Sequence, residues 1–232
     1  MDTSFTFAPI VLIALAGYGY VYTRRWRVAH REGGDRAAPK WRLWMWWLGI
    51  LALFVALISP LDRLGEQLAT AHMIQHLILA DVAPILFIVA LTKWILRPVT
   101  RHVTRIERAA GPFAHPIFGV VAYVGAMWLW HVPTMYNAAL EHSMIHVLEH
   151  LSFAAAGFLY WWHLLSPIRS RMRLGGMGPV AYMVSTKVLV GFLGIALAYL
   201  FTRMLLESER EAQRQERLED AREAAAQAKL SR

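Results

Sequence analysis

The sequence contains no cysteine, and charged residues make up only 17% of its 232 residues. The absence of cysteine excludes disulfides and any thiolate site for copper or zinc. The low charge content and a hydrophobic fraction of 57% argue against an ordinary soluble domain. A net charge of +8 does not indicate nucleic acid binding, because the basic residues lie in short segments between apolar runs.

The sequence also lacks the motifs of common enzymes. It contains no Gly-rich phosphate loop and no nucleophile elbow, the two patterns that would indicate nucleotide chemistry or acyl transfer. We therefore predict a protein that is not an enzyme.

Most of the sequence consists of apolar runs of about membrane-spanning length. A helix needs roughly 20 apolar residues to cross a bilayer core. About six runs approach that length, at residues 5–23, 43–59, 71–91, 116–130, 141–165 and 179–202. They predict an all-α polytopic transmembrane bundle over residues 1–202. The polar tail, residues 203–232, predicts a charged C-terminal helix.

The distribution of Lys and Arg predicts the orientation of these spans. Basic residues concentrate in the segments 24–42, 92–112 and 169–173, whereas the loops on the other side contain only Arg63. The positive-inside rule then places the basic segments in the cytoplasm and the N-terminus outside. Gly33 and Gly34 predict that segment 24–42 is a flexible loop.

Histidines recur at helical spacing inside these apolar runs. His142, His146 and His150 stand four residues apart, as do His72 and His76 in another run. On a helix this spacing stacks the side chains along one stripe, about 6 Å apart. Ionisable groups are costly in a membrane, so their presence there indicates a function.

The predicted topology brings the histidines to one level. The third and fifth spans enter from the same side, and His131 ends the fourth span there. Six histidines are then expected at one membrane face: His72, His76, His131, His142, His146 and His150. Imidazole binds copper, zinc and iron. We predict a metal or haem site near the outer face.

Other polar and sulfur-containing side chains accompany the histidines. Glu149 falls beside the histidine stripe, where it would orient an imidazole or bind the metal itself. The thioethers of Met73 and Met144 would favour Cu(I). Asp81 and Lys187 are expected near mid-membrane depth, where we predict a buried ion pair because unpaired charge is expensive.

Four ordered motifs resemble the integral-membrane CtaG family of cytochrome c oxidase assembly factors. They are Ser59-Pro60-Leu61-Asp62, His72-Met73-Ile74-Gln75-His76, Trp130-His131-Val132-Pro133, and His146-Val147-Leu148-Glu149-His150 followed by Trp161-Trp162. The resemblance implies a multi-pass protein of the bacterial inner membrane. It also implies that the protein helps the oxidase to mature by delivering copper to its catalytic subunit.

The resemblance carries the site over to five histidines and leaves His142 as an auxiliary residue. It implies membrane lipid, oxidase subunits and a periplasmic copper donor as partners. On the residues alone, a structural membrane protein without a cofactor stays open, as do two functional alternatives. One is a b-type haem protein that moves electrons with two axial histidines, such as His76 with His146 or His150. The other is a metal or proton transporter with Asp81 and Lys187 on its path.

Overall fold

The computed structural model describes residue 5 and residues 9–65, 67–168 and 174–230, with side chains up to residue 218. These residues form helices and contain no strand, which confirms the all-α prediction. The helices are α1 (Pro9–Ala37), α2 (Lys40–Leu57), α3 (Pro60–Gly65), α4 (Ala69–Leu77), a π-helical turn (Ile78–Val82), α5 (Ala83–Ala90), α6 (Lys93–Leu96), α7 (Thr100–Ala110), a 3-10 turn (Gly111–Ala114), α8 (Pro116–Trp130), α9 (Pro133–Glu141), α10 (Ser143–Leu165) and α11 (Gly178–Leu230).

The chain divides into two compact units, Met1–Thr186 and Lys187–Arg232. The first unit contains α1 to α10 and the start of α11, and the second contains the rest of α11. Helix α11 continues without a break through residue 202, where the sequence predicted the end of the transmembrane domain. That domain division stays a prediction.

Helix α1 is longer than its apolar run. It continues to Ala37, so the prediction of a flexible loop over residues 24–42 is wrong. Tertiary hydrogen bonds hold the polar end of the helix, because Arg25 donates to two carbonyls of α6 at 3.1 and 3.2 Å. The glycines still have an effect, since Gly34 adopts a φ of 60° and kinks the helix.

Three helical segments in the described part of the chain are long and apolar enough to cross a membrane: Lys40–Leu57, Ala69–Ala90 and Gly178–Leu218. A fourth span arises if the segment Thr100–Ala114 and α8, which meet at an angle of 73°, count as one. The described residues therefore contain three to four candidate spans, and the number of six stays a prediction. Helix α10 is long enough, but His146, Glu149 and His150 lower its hydropathy.

A close helix contact positions the polar centre of the protein. The segment formed by α4, the π-helical turn and α5 packs against α2 on one side and α10 on the other. Gly157 of α10 lies so close to the π-helical turn that a Cβ atom there would stand 2.0 Å from the Ala80 carbonyl oxygen. The absence of a side chain at Gly157 therefore allows the close approach of α10 to the π-helical turn.

Candidate metal centre

Helix α4 contributes two neighbouring imidazoles to the centre of the first unit. His72 and His76 are one turn apart and are 2% and 3% exposed. Their ring centroids are 4.1 Å apart. The four-residue spacing places both rings on the buried face of α4, toward α10.

Helix α10 presents a second pair of imidazoles to the first. The ring centroids of His146 and His150 are 4.2 Å apart. His146 faces His72 at 6.3 Å, and His150 faces His76 at 6.0 Å, measured between ring centroids. The structure thus places four imidazoles at the corners of one small quadrilateral between the two helices.

Glu149 lies against the α4 pair in this cluster. Its carboxylate is completely buried, and its Oε1 atom is 3.4 Å from His76 Nε2 and 3.7 Å from His72 Nε2. One potential ligand atom from each of these three residues lies within 4.8 Å of the others. Glu149 is therefore placed as a possible ligand as well as a possible orienting group. We call these five residues, His72, His76, His146, Glu149 and His150, the His–Glu cluster.

The polar atoms of the His–Glu cluster are buried without hydrogen-bond partners. This is true of Nε2 in all four histidines, of Nδ1 in His76 and of both carboxylate oxygens of Glu149. Each such atom costs about 1–3 kcal/mol when left unsatisfied in a protein interior. A metal ion would satisfy several of them at once, and imidazole with carboxylate suits copper, zinc and iron. The donor set therefore fits a metal ion.

His131 and His142 lie outside the four-ring arrangement. Neither ring contacts another histidine in the portion of the protein that the structure describes. His131 donates from Nδ1 to the Met127 carbonyl at 2.6 Å, which leaves Nε2 as the nitrogen with a free lone pair. His142 is exposed and precedes the first residue of α10. The predicted helical stripe therefore holds for His146 and His150 but not for His142, because the helix breaks there.

The two methionines proposed as auxiliary donors are solvent- or lipid-accessible. Met73 is 39% exposed, and Met144 is 78% exposed. Their part in metal binding stays a prediction.

Gln75 is a residue of this region that the sequence analysis did not single out. It is completely buried, and its Nε2 atom donates to the Ala56 carbonyl at 2.7 Å and to Asp62 Oδ1 at 2.9 Å. These bonds join α4 to the end of α2 and to α3. The sequence feature that could have indicated Gln75 is its polar amide side chain, which lies between two histidines in an apolar run. The bonds hold α4 in the orientation that presents His72 and His76.

A Gln75→Ala substitution is expected to destabilise the protein by about 1–3 kcal/mol, because the Ala56 carbonyl and the Asp62 carboxylate lose a buried donor. Thermal unfolding in detergent measures this change. The matched control is Gln67→Ala, since Gln67 is exposed and should shift the midpoint little. Equal midpoints for the two variants would contradict the role assigned to Gln75.

A second polar group surrounds Asp81 on the π-helical turn. The Tyr123 hydroxyl lies 2.9 and 2.8 Å from the two carboxylate oxygens, and Trp161 Nε1 donates to Oδ1 at 2.8 Å. These bonds connect the turn with α8 and α10. Trp161 belongs to one of the four family motifs, whereas Tyr123 had no signal in the sequence. The predicted pair of Asp81 with Lys187 joins residues of different units and stays a prediction.

Removal of the Tyr123 hydroxyl is expected to weaken this connection. Tyr123→Phe should lower the free energy of unfolding by about 1–3 kcal/mol, because a buried carboxylate loses a donor. Tyr20→Phe is the control, since Tyr20 is 66% exposed. Chemical denaturation followed by circular dichroism compares the two, and an unchanged stability of Tyr123→Phe would contradict the prediction.

These features define an all-helical protein with candidate membrane-spanning helices and a buried cluster that could hold a metal ion. Comparison with known proteins identifies the group within that class. The profile of the cytochrome c oxidase caa3 assembly factor family, Caa3_CtaG, matches residues 20–230. The chain belongs to this family, as the four motifs indicated.

Two curated relatives add little about function. The chain is 24% identical over 174 residues to an uncharacterized protein of Mycobacterium bovis and, equally, to one of Mycobacterium tuberculosis. Each match covers 68% of this chain and 26% of the relative. The chain therefore spans about a quarter of the length of these relatives. No solved structure matches it.

Proposed function

We propose that this protein binds a copper ion in the His–Glu cluster and helps to deliver it to cytochrome c oxidase. The observation that carries this proposal is the set of buried nitrogen and oxygen atoms without hydrogen-bond partners on the facing sides of α4 and α10. The family has an assembly role for an oxidase. Delivery of a copper ion would account both for the buried donor atoms and for the role of the family in oxidase assembly.

The donor set suits a cargo that must be released. Imidazole binds copper without the permanence of a thiolate site, and four rings offer more donors than a transferable ion needs at one time. A small surface pocket lined by His72, Ser143 and His146 reaches the cluster. Through such an opening a ligand of the oxidase could replace a ligand of the carrier. This role requires no catalysis, in keeping with a protein that is not an enzyme.

We further propose the six-span topology with the N-terminus outside the bacterial inner membrane. The first predicted span, residues 5–23, includes residues 6–8, which lie outside the described residues. The fifth would be α10, whose length is sufficient and whose polar residues form the site. The His–Glu cluster then lies near the outer face. There a periplasmic copper donor and the oxidase subunits are the expected partners.

Copper is favoured over a b-type haem by the packing of the cluster. A haem needs a wide cleft between its two axial imidazoles. Here Phe153 packs 4.1 Å from His76, and the four rings stand close to one another. This arrangement is better suited to a small ion. A haem would instead give the purified protein a Soret band.

The delivery role is tested in a bacterium whose own gene of this family has been deleted. Production of the wild-type chain is expected to restore the copper content and activity of the oxidase. His72→Ala/His76→Ala at equal membrane abundance should leave the oxidase short of copper, and the control His102→Ala should behave like wild type. Full oxidase copper content with the double variant would contradict the proposal.

A further inference from the structure

Helix α7 has the pattern of a helix that lies in a membrane surface. At 100° per residue, its three arginines fall on one side and its apolar residues on the opposite side. The arginines are Arg101, Arg105 and Arg108, and the apolar residues are Val103, Ile106 and Ala110. With the following 3-10 turn, α7 is bent by 73° from α8. If α8 crosses the membrane, α7 runs nearly along its surface.

The apolar face of α7 borders an open groove against the end of α10. The groove is lined by Val103 and Ile106 of α7, Phe113 of the 3-10 turn, and Leu159 and Trp162 of α10. Ile106 and Phe113 remain 68% and 67% exposed. Apolar side chains this exposed beside arginines are typical of a surface in contact with lipid.

Positive charge lies directly beside this groove. A second depression shares Lys93 and Ile168 with the groove and adds Arg97, Thr100 and Arg101. Its three cations are exposed, and none pairs with an acid in the part of the chain that the structure describes. The first groove also contains Glu107 and His163, so its lining is not purely cationic. The positive charge is therefore concentrated in the second depression. An apolar slot next to an unpaired cationic pocket matches the two ends of an anionic lipid.

We propose that this double groove binds an anionic phospholipid. An acyl chain lies in the apolar slot between α7 and α10, and the phosphate group is held by Lys93, Arg97 and Arg101. Basic pockets between helices at the cytoplasmic face are the usual sites of such headgroups. The site is separate from the His–Glu cluster, because about 14 residues of α10, roughly 20 Å of helix, lie between Glu149 and His163. It does not depend on copper binding.

Native mass spectrometry of the purified full chain, titrated with phosphatidylglycerol, tests this proposal. The wild type is expected to retain one phosphatidylglycerol and to bind phosphatidylethanolamine more weakly. Lys93→Gln/Arg97→Gln/Arg101→Gln should reduce the affinity for phosphatidylglycerol roughly 100-fold, because each basic group near a lipid headgroup contributes about fivefold. The matched control Arg24→Gln/Arg27→Gln/Arg31→Gln removes the same charge from exposed positions of α1 and should retain wild-type affinity.

A second variant separates the groove from general electrostatic attraction. Ala110→Phe adds a ring to the lining of the groove and changes no charge, so it should also lose the bound lipid. An unchanged midpoint of thermal unfolding shows that this variant is folded. Equal losses in the two charge variants, or full lipid binding by Ala110→Phe, would overturn the proposal.

Discussion

A His76→Ala/His146→Ala variant is expected to lose copper binding, with an affinity at least roughly 100-fold below that of the wild type. The two substitutions remove one imidazole from each helix, on opposite corners of the quadrilateral. The two remaining imidazoles, His72 and His150, lie on the other diagonal, so neither ring faces another imidazole across the gap between the helices. Competition with a colourless Cu(I) chelator, followed by metal analysis, measures the change.

The control for this variant removes two histidines that are remote from the cluster in sequence. His102 is exposed, and His115 accepts a hydrogen bond from the Ile117 amide at the start of α8. His102→Ala/His115→Asn removes both imidazoles and keeps a capping side chain at residue 115. Its copper affinity should equal that of the wild type. Equal losses in the two double variants would mean that copper binds histidines without regard to the cluster.

A single methyl group at Gly157 is expected to destabilise the protein by about 1–3 kcal/mol. The Cβ atom of Gly157→Ala would stand 2.0 Å from the carbonyl oxygen of Ala80, and both partners are helix backbone. Neither can move without shifting its helix. The substitution is therefore expected to lower the midpoint of thermal unfolding by several degrees. It should also weaken copper binding, since it separates the two histidine pairs.

Gly125→Ala is the matched control. Gly125 is also within a helix, but a Cβ atom there would meet nothing within 4 Å. Alanine is the better helix former, so this variant should be as stable as the wild type or more stable by up to about 1 kcal/mol. A Gly157→Ala protein that unfolds at the same temperature as Gly125→Ala would show that α10 does not need this close approach.

The helical fold could be predicted from the sequence, because long apolar runs without β-type alternation have few other solutions. The runs at residues 71–91 and 116–130 nearly match the observed segments Ala69–Ala90 and Pro116–Trp130. The end of α1 could not be predicted in this way. Residues 24–37 are polar and end in glycines, and their helix depends on tertiary bonds such as those of Arg25 to α6.

The candidate site was partly visible in the sequence because histidine is rare in apolar helices. Four-residue spacing and a shared depth indicated His72, His76, His146 and His150, which the structure brings together. The residues that hold α4 and Asp81 in place had no such signal. Gln75 and Tyr123 act through bonds to residues 13 and 42 positions away, and local periodicity contains no information about such distances. The helix break before α10 likewise removed His142 from the stripe.

X-ray absorption at the copper edge of the Cu(I)-loaded wild-type protein tests the central claim most directly. The His–Glu cluster predicts imidazole scattering with only nitrogen and oxygen in the first coordination shell, lost in His76→Ala/His146→Ala. Sulfur scattering would contradict it, because the copper would then sit on thioethers such as those of the exposed Met73 and Met144. Failure to load copper at all would contradict it as well.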